Sequence, residues 1–127
     1  MNTDESLQDL NAITGAIIGA AMKVSSTLGV GFLEKVYENA MVIELTRKGH
    51  GVKQQQPVQV RYEREVVGEY LADLIVDDRV VVELKVARSL DRAHQAQCLN
   101  YLRATGFRLA LLLNFGCPRL EYHRIAN

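Results

Sequence analysis

At 127 residues the chain is long enough for one domain built around a single core. Apolar residues make up 48% of it, which argues against disorder. Fifteen basic and fifteen acidic residues cancel, so any nucleic-acid role must come from a local patch and not from bulk charge. Cys98 and Cys117 are too few and too far apart for a disulfide framework or a zinc site. They read as reduced thiols in or near the core. Asp4, Glu5 and Asp9, with no early Lys or Arg, are the reverse of a secretory leader. The longest apolar stretch, Ala12 to Met22, is broken by Thr14, Gly15 and Gly19 and is too short to span a bilayer. The expectation is a cytoplasmic protein with no membrane partner.

In chain order, Leu7, Leu10, Ile13, Ile17, Ala21, Val24 and Leu28 recur at three- and four-residue steps and predict an amphipathic helix. Thr3 or Asp4 can cap its start, and Gly29 can end it in a left-handed conformation. After Gly29-Val30-Gly31 a second helix carries Leu33, Val36, Tyr37, Ala40, Met41 and Leu45 on one side and stops at Gly49-His50-Gly51. Pro57 then opens a β-rich region, with strands over 58–62, 66–76 and 80–87. Glu63-Arg64-Glu65 and Asp77-Asp78-Arg79 are its turns. A third helix runs from a cap at Asp91 to Thr105 and closes at Gly106. Phe107 to Leu113 is a continuous apolar run, the mark of a fully buried strand. Leu120, Tyr122 and Arg124 suggest a last, half-exposed strand. The order α-α-β-β-β-α-β-β predicts one domain over 1–127, an α/β sandwich around a mixed sheet. In it the strand after the third helix lies parallel to the third strand.

Three charged residues, Asp73, Glu83 and Lys85, interrupt the apolar strands around the Asp77 turn. A charge inside an apolar strand must be paired or must bind a metal, because desolvating it alone is costly. Glu83 and Lys85 share a face by strand alternation. A two-residue loop would set Asp73 opposite Val82, on the wrong face. A three-residue loop over 77–79 sets Asp73 opposite Glu83, and a β-bulge would correct the parity equally well. If the two carboxylates meet, they repel unless a cation lies between them. The all-oxygen set suits Mg or Mn. A cross-strand salt bridge from Lys85 to one carboxylate is the structural alternative, and it leaves the second acid without a partner.

Glu34 lies at the edge of the second helix's apolar stripe, with Glu38 one turn on and more exposed. Glu44 falls near the middle of that stripe and has no functional account; a buried base could pair with it. On the third helix Gln97 and Tyr101 stack four residues apart, with His94 on the same flank. These side chains suit phosphate oxygens or the orientation of Lys85; as helix patterning alone they read as a polar rim around Leu99 and Leu102. No strained serine elbow or Walker-type phosphate loop is present.

Three segments together resemble the GxxExxY protein family of the PD-(D/E)XK nuclease superfamily. They are Gly31-Phe32-Leu33-Glu34-Lys35-Val36-Tyr37, the strand pair Ala72–Val76 with Val82-Glu83-Leu84-Lys85, and Gln97 to Gly106 followed by Leu112-Leu113-Asn114-Phe115-Gly116. One departure is Ser25, where relatives often carry a His. The resemblance implies a restriction-endonuclease-like core and a Mg- or Mn-dependent nuclease. Glu34, Asp73, Glu83 and Lys85 take the acidic and lysine roles, and Gln97 and Tyr101 an auxiliary one. Asp73, Glu83, the Leu84 carbonyl and Glu34 would then form the metal shell. The implied partner is nucleic acid, DNA ahead of RNA, with a homodimer as one route to recognition. The alternative is a catalytically silent nuclease-fold module that binds a protein or nucleic-acid partner. A basic rim from Lys35, Arg88, Arg92 and Arg103 would speak for nucleic acid.

Overall fold

The spacing of apolar residues from Leu7 onward does form one long helix, α1 (Thr3–Leu28), whose Leu10, Ile17, Ala20, Ala21 and Val24 are buried. The computed structural model describes residues 3–127, with side chains from Leu7 onward. The caps expected at Thr3 or Asp4 fall outside those described side chains. Gly29 ends α1 with φ of 71° and an N–H bonded to the Ser25 carbonyl, a left-handed stop that glycine adopts without strain. No helix among the described residues is long and apolar enough to cross a membrane.

The inward face of α2 (Glu34–Arg47) is Tyr37, Glu38, Met41 and Leu45. This differs from the expected stripe. Leu33 is the N-cap and 80% exposed, Val36 is also exposed, and Glu38 takes a buried place on the inward face. Glu44 pairs with Lys23 at 3.1 Å, an exposed lysine of α1 and not a buried base.

Five strands follow: β1 (Val52–Tyr62), β2 (Glu65–Val76), β3 (Val80–Lys85), then, after α3 (Arg92–Thr105), β4 (Leu109–Asn114) and β5 (Glu121–Ala126). They form one mixed sheet in the order β1-β2-β3-β4-β5, antiparallel except for the β3–β4 pair. Helices α1 and α2 pack one face through Leu74, Val76, Val82 and Leu111; α3 packs the other through Ile75, Val81, Ala110 and Leu112. Covered on both faces, β4 is buried at all six positions. The outer strand β5 is more open than the half-exposed strand expected: four of its six residues are exposed and only Glu121 and Ile125 are half-buried.

Strand boundaries differ from expectation: β3 stops at Lys85 short of Ala87, β4 starts at Leu109 and not Phe107, and the largest shift is in β1. β1 begins at Val52, well before Pro57. Because β1 is an edge strand, Pro57 costs it no ladder bond. The polar run Lys53-Gln54-Gln55-Gln56, which hid the strand in the sequence, has uses outside a core. α3 starts and stops as the sequence indicates: Asp91 accepts from the His94 N–H at 3.0 Å, and Gly106 closes it at φ 78°.

Candidate metal and catalytic site

The β2–β3 connection is the three-residue loop, with Val76 paired to Val80 and Leu74 to Val82. That register sets Asp73 opposite Glu83, on the odd-loop alternative. The ladder ends at Leu74, and side chains take over its next rungs. Glu83 Oε1 accepts from the Asp73 N–H at 3.0 Å, and Asp73 Oδ2 accepts from the Leu84 N–H at 2.8 Å. Each carboxyl satisfies a backbone donor that the parting strands leave open.

Only 3% of Glu83 is exposed. Burial, then the charge of Asp73, push its carboxyl up to about 8. Asp73 is raised by burial as well, against the pull of the Leu84 N–H. The interaction between the two carboxyls favours the protonated form of Glu83 and the ionised form of Asp73. Lys85 sits close enough to favour ionised Glu34 and Glu83, yet forms no ion pair among the described residues. The salt-bridge alternative is therefore not what the strands hold.

Helix α2 delivers two more acids. Its position is set by Tyr37, buried against Phe115 with ring centroids 4.8 Å apart, whose hydroxyl donates to the Gly29 carbonyl and accepts from the Phe32 N–H. Gly31 turns the intervening loop at φ 108°, a value glycine takes freely. Glu34 thereby starts α2 at the site. It is raised by burial first and by the charge of Asp73 second. Glu38 is not the more exposed of the two, as expected from its register, but only 2% exposed. It accepts from Lys35 at 2.7 Å, from Gln54, and from Gln55 Nε2 at 2.7 Å. Gln55 Nε2 also reaches Asp73 Oδ1 at 3.3 Å. Gln55 drops out of the β1–β2 ladder opposite Asp73, with φ of 52°. A non-glycine residue in that region costs on the order of 1 kcal/mol, and here the cost turns its amide between two carboxylates.

On the other face, Tyr101 donates to the Leu71 carbonyl at 3.1 Å, and Gln97 Nε2 donates to the Tyr101 hydroxyl at 3.4 Å. Tyr101 thus ties α3 to β2 two residues before Asp73. Burial, then Glu83, push its phenol up to about 12, so it remains a donor. Cys98 is free and buried, its thiol likewise pushed up to about 12 by burial and by Glu83. Reduced thiols in or near the core were the expectation for both cysteines, and Cys117 is also free and half-buried. His94 is not part of the site: its Nδ1 accepts from the Asp91 N–H at 3.2 Å, closing the capping box of α3. Beyond Lys85, buried Asn114 holds both the N–H and the carbonyl of Ala87 at 3.0 Å. A side chain at Gly116 would overlap the Ala87 carbonyl, so only glycine fits.

The sequence named Glu34, Asp73, Glu83 and Lys85, and the fold brings their charges within mutual influence. It missed Glu38, Gln54 and Gln55. The signal for these was weak: two adjacent glutamines on an edge strand, with no apolar alternation to fix their direction.

Two close carboxyls and an ammonium in no ion pair among the described residues lie where two antiparallel strands part beside a parallel third. A family model described as the PD-(D/E)XK nuclease superfamily matches residues 11–125, and the chain belongs to that superfamily. The five-stranded mixed sheet with flanking helices is its restriction-endonuclease-like fold. No curated protein and no solved structure matches the chain.

Proposed function

We propose that the protein is a divalent-metal-dependent nuclease that hydrolyses phosphodiester bonds, with DNA as the first substrate to test. The observation that carries this reading is the Asp73–Glu83 pair, a half-buried and a buried carboxyl each accepting from a backbone N–H of the other's strand, with the Lys85 ammonium beside them and in no ion pair among the described residues.

The donor set bears on the metal. Among the described residues no three His, Cys, Asp or Glu side chains come together as a ready-made ion cage. Mg suits such a site, because it takes one or two carboxylates and completes its shell with water and substrate phosphate. Asp73 and Glu83 supply the oxygens, the Leu84 carbonyl adjoins them in sequence, and Glu34 adds charge from α2. All are hard ligands and none is nitrogen or sulfur. When bound, such a cation supplies Lewis-acid activation of the phosphate and acidification of a water.

The rest of the chemistry belongs to this chain. Glu83 must give up its proton to become a ligand, which makes the loaded state pH-dependent. Lys85 holds its ammonium toward the scissile group and stabilises the charge that builds on the phosphoryl oxygens. Tyr101 and Gln97 hold β2 and α3 together at the depth of Asp73. Glu38 and Gln55 fix the Asp73 carboxylate from the opposite side. The cytoplasm is the proposed location. The test is a Mg- and Mn-dependent cleavage screen on DNA and RNA of varied structure, with Lys85→Ala alongside. Metal-dependent cleavage by the wild type, lost in Lys85→Ala, supports the reading. No cleavage of any substrate moves the assignment to a silent nuclease-fold binding module.

A further inference from the structure

A groove leaves Gln97 and Tyr101 and follows the seam between α3 and the β1–β2 hairpin. Its first stretch is lined by Gln97, Tyr101, Asn100 and Tyr70. The next, of about 570 Å³, keeps Tyr70 and Asn100 and adds Arg61 and Arg103. A third carries Arg61 on to Lys53 and Phe107.

Charge in this groove does not follow the neutral whole. Lys53, Arg61 and Arg103 line it against one acid, Asp78, which Lys53 already meets at 2.6 Å. Arg61 and Arg103 are exposed and form no ion pair among the described residues. The expected rim is thus only partly basic toward the acids, since Lys35 is bound to Glu38. Of that rim Arg103 lines the groove, where Arg61 joins it. Tyr70 is 54% exposed, yet its ring is held edge-on against buried Tyr101 with centroids 6.0 Å apart. An exposed aromatic ring with a fixed orientation is a ready platform for a planar partner.

We propose that this groove is the track of a single-stranded nucleic acid leading to the Asp73–Glu83–Lys85 site. Arg61 and Arg103 take phosphates, and Tyr70 stacks a base. A duplex offers its edges and backbone but no free base face, so Tyr70 would have nothing to stack on. Phosphates and base faces are common to DNA and RNA, so the track accepts either sugar. The destination of the strand rests on the nuclease reading; its binding does not.

The experiment is fluorescence anisotropy on the whole chain in a chelator, where no metal-dependent cleavage interferes. Probes are oligo-dT and oligo-rU of about 12 residues and a duplex of the same length. Both single strands should bind, with the duplex at least about tenfold weaker. Tyr70→Ala should weaken binding about tenfold. The double variant Arg61→Glu/Arg103→Glu should weaken it further and flatten the salt dependence, by roughly 0.7 in slope for each phosphate left unneutralised. Circular dichroism establishes that each surface variant is folded. Equal or tighter duplex binding, or wild-type affinity in the arginine double variant, overturns the proposal. So does a sizing run in which the hairpin holds a dimer that Tyr70→Ala dissociates, with no oligonucleotide bound. Cleavage that survives these variants unchanged removes the track and leaves the nuclease; strand binding without cleavage does the reverse.

Discussion

Replacing Glu83 with Gln should stabilise the metal-free protein at high pH and leave it unchanged at low pH. The carboxyl is raised from 4.5 to about 8 in the fold, by burial first and by Asp73 second. A folded pKa above the unfolded one means that its stability contribution is complete below about 4.5 and is lost as pH rises through about 8. Each unit is worth about 1.4 kcal/mol, so the wild type loses roughly 5 kcal/mol at most between pH 4.5 and 9 from this group. Glutamine cannot ionise. Its oxygen can still accept from the Asp73 N–H, and its amide can donate to Asp73. At about 3–5 °C per kcal/mol for a chain of this size, the variant's Tm should exceed the wild type's by about 10 °C or more at pH 9. At pH 4 the two should coincide. Thermal melts in chelator at both pH values measure the gap, and adding Mg at pH 9 should narrow it by stabilising only the wild type. A variant less stable than the wild type at pH 9 would refute a buried Glu83 held protonated beside Asp73.

Four other outcomes follow from the same geometry. Metal affinity of the wild type, read by calorimetry, should strengthen as pH climbs toward about 8, because the Glu83 proton must leave; Glu83→Gln should remove most of that affinity. Lys85→Ala should lower cleavage by on the order of a hundredfold while metal binding stays level or tightens, since the ammonium repels the cation. Gln55→Gly should relieve the φ of 52° but leave buried Glu38 one donor short, so Tm should hold or fall, and metal affinity should weaken about tenfold by freeing Asp73. Tyr37→Phe leaves the Gly29 carbonyl and Phe32 N–H without the hydroxyl, which should cost about 1–3 kcal/mol in urea denaturation.

How far the sequence could be read depended on what kind of physical constraint each residue answers to. The strand pair around Asp77 was legible because β-branched runs have one register that buries both faces. Parity then left few ways to place Asp73, and the three-residue loop is the one that joins it to Glu83. Capping at Asp91 and the stop at Gly106 were legible because both are local chemistry. His94 was misread for the same reason it matters: its ring serves the cap of its own helix, three residues away, before it can serve a site. Glu38 and Gln55 had no local signature at all. A glutamate in an amphipathic helix defaults to solvent, and a glutamine run on an edge strand defaults to a loop. Glu38 can be buried because Gln55 is there: Gln55 donates to it, and the left-handed backbone at Gln55 turns its amide toward both Glu38 and Asp73. Such a pairing joins residues 17 apart in the chain and is created by the packing of α2 over β1. Burying Glu38 beside Asp73 raises the Asp73 carboxyl further, a cost to folding that an apolar residue would avoid. Strain at Gln55 and charge crowding at Asp73 fall at one point of the sheet, where β2 parts from β3, and that concentration of unfavourable terms coincides with the place where the proposed function puts its chemistry.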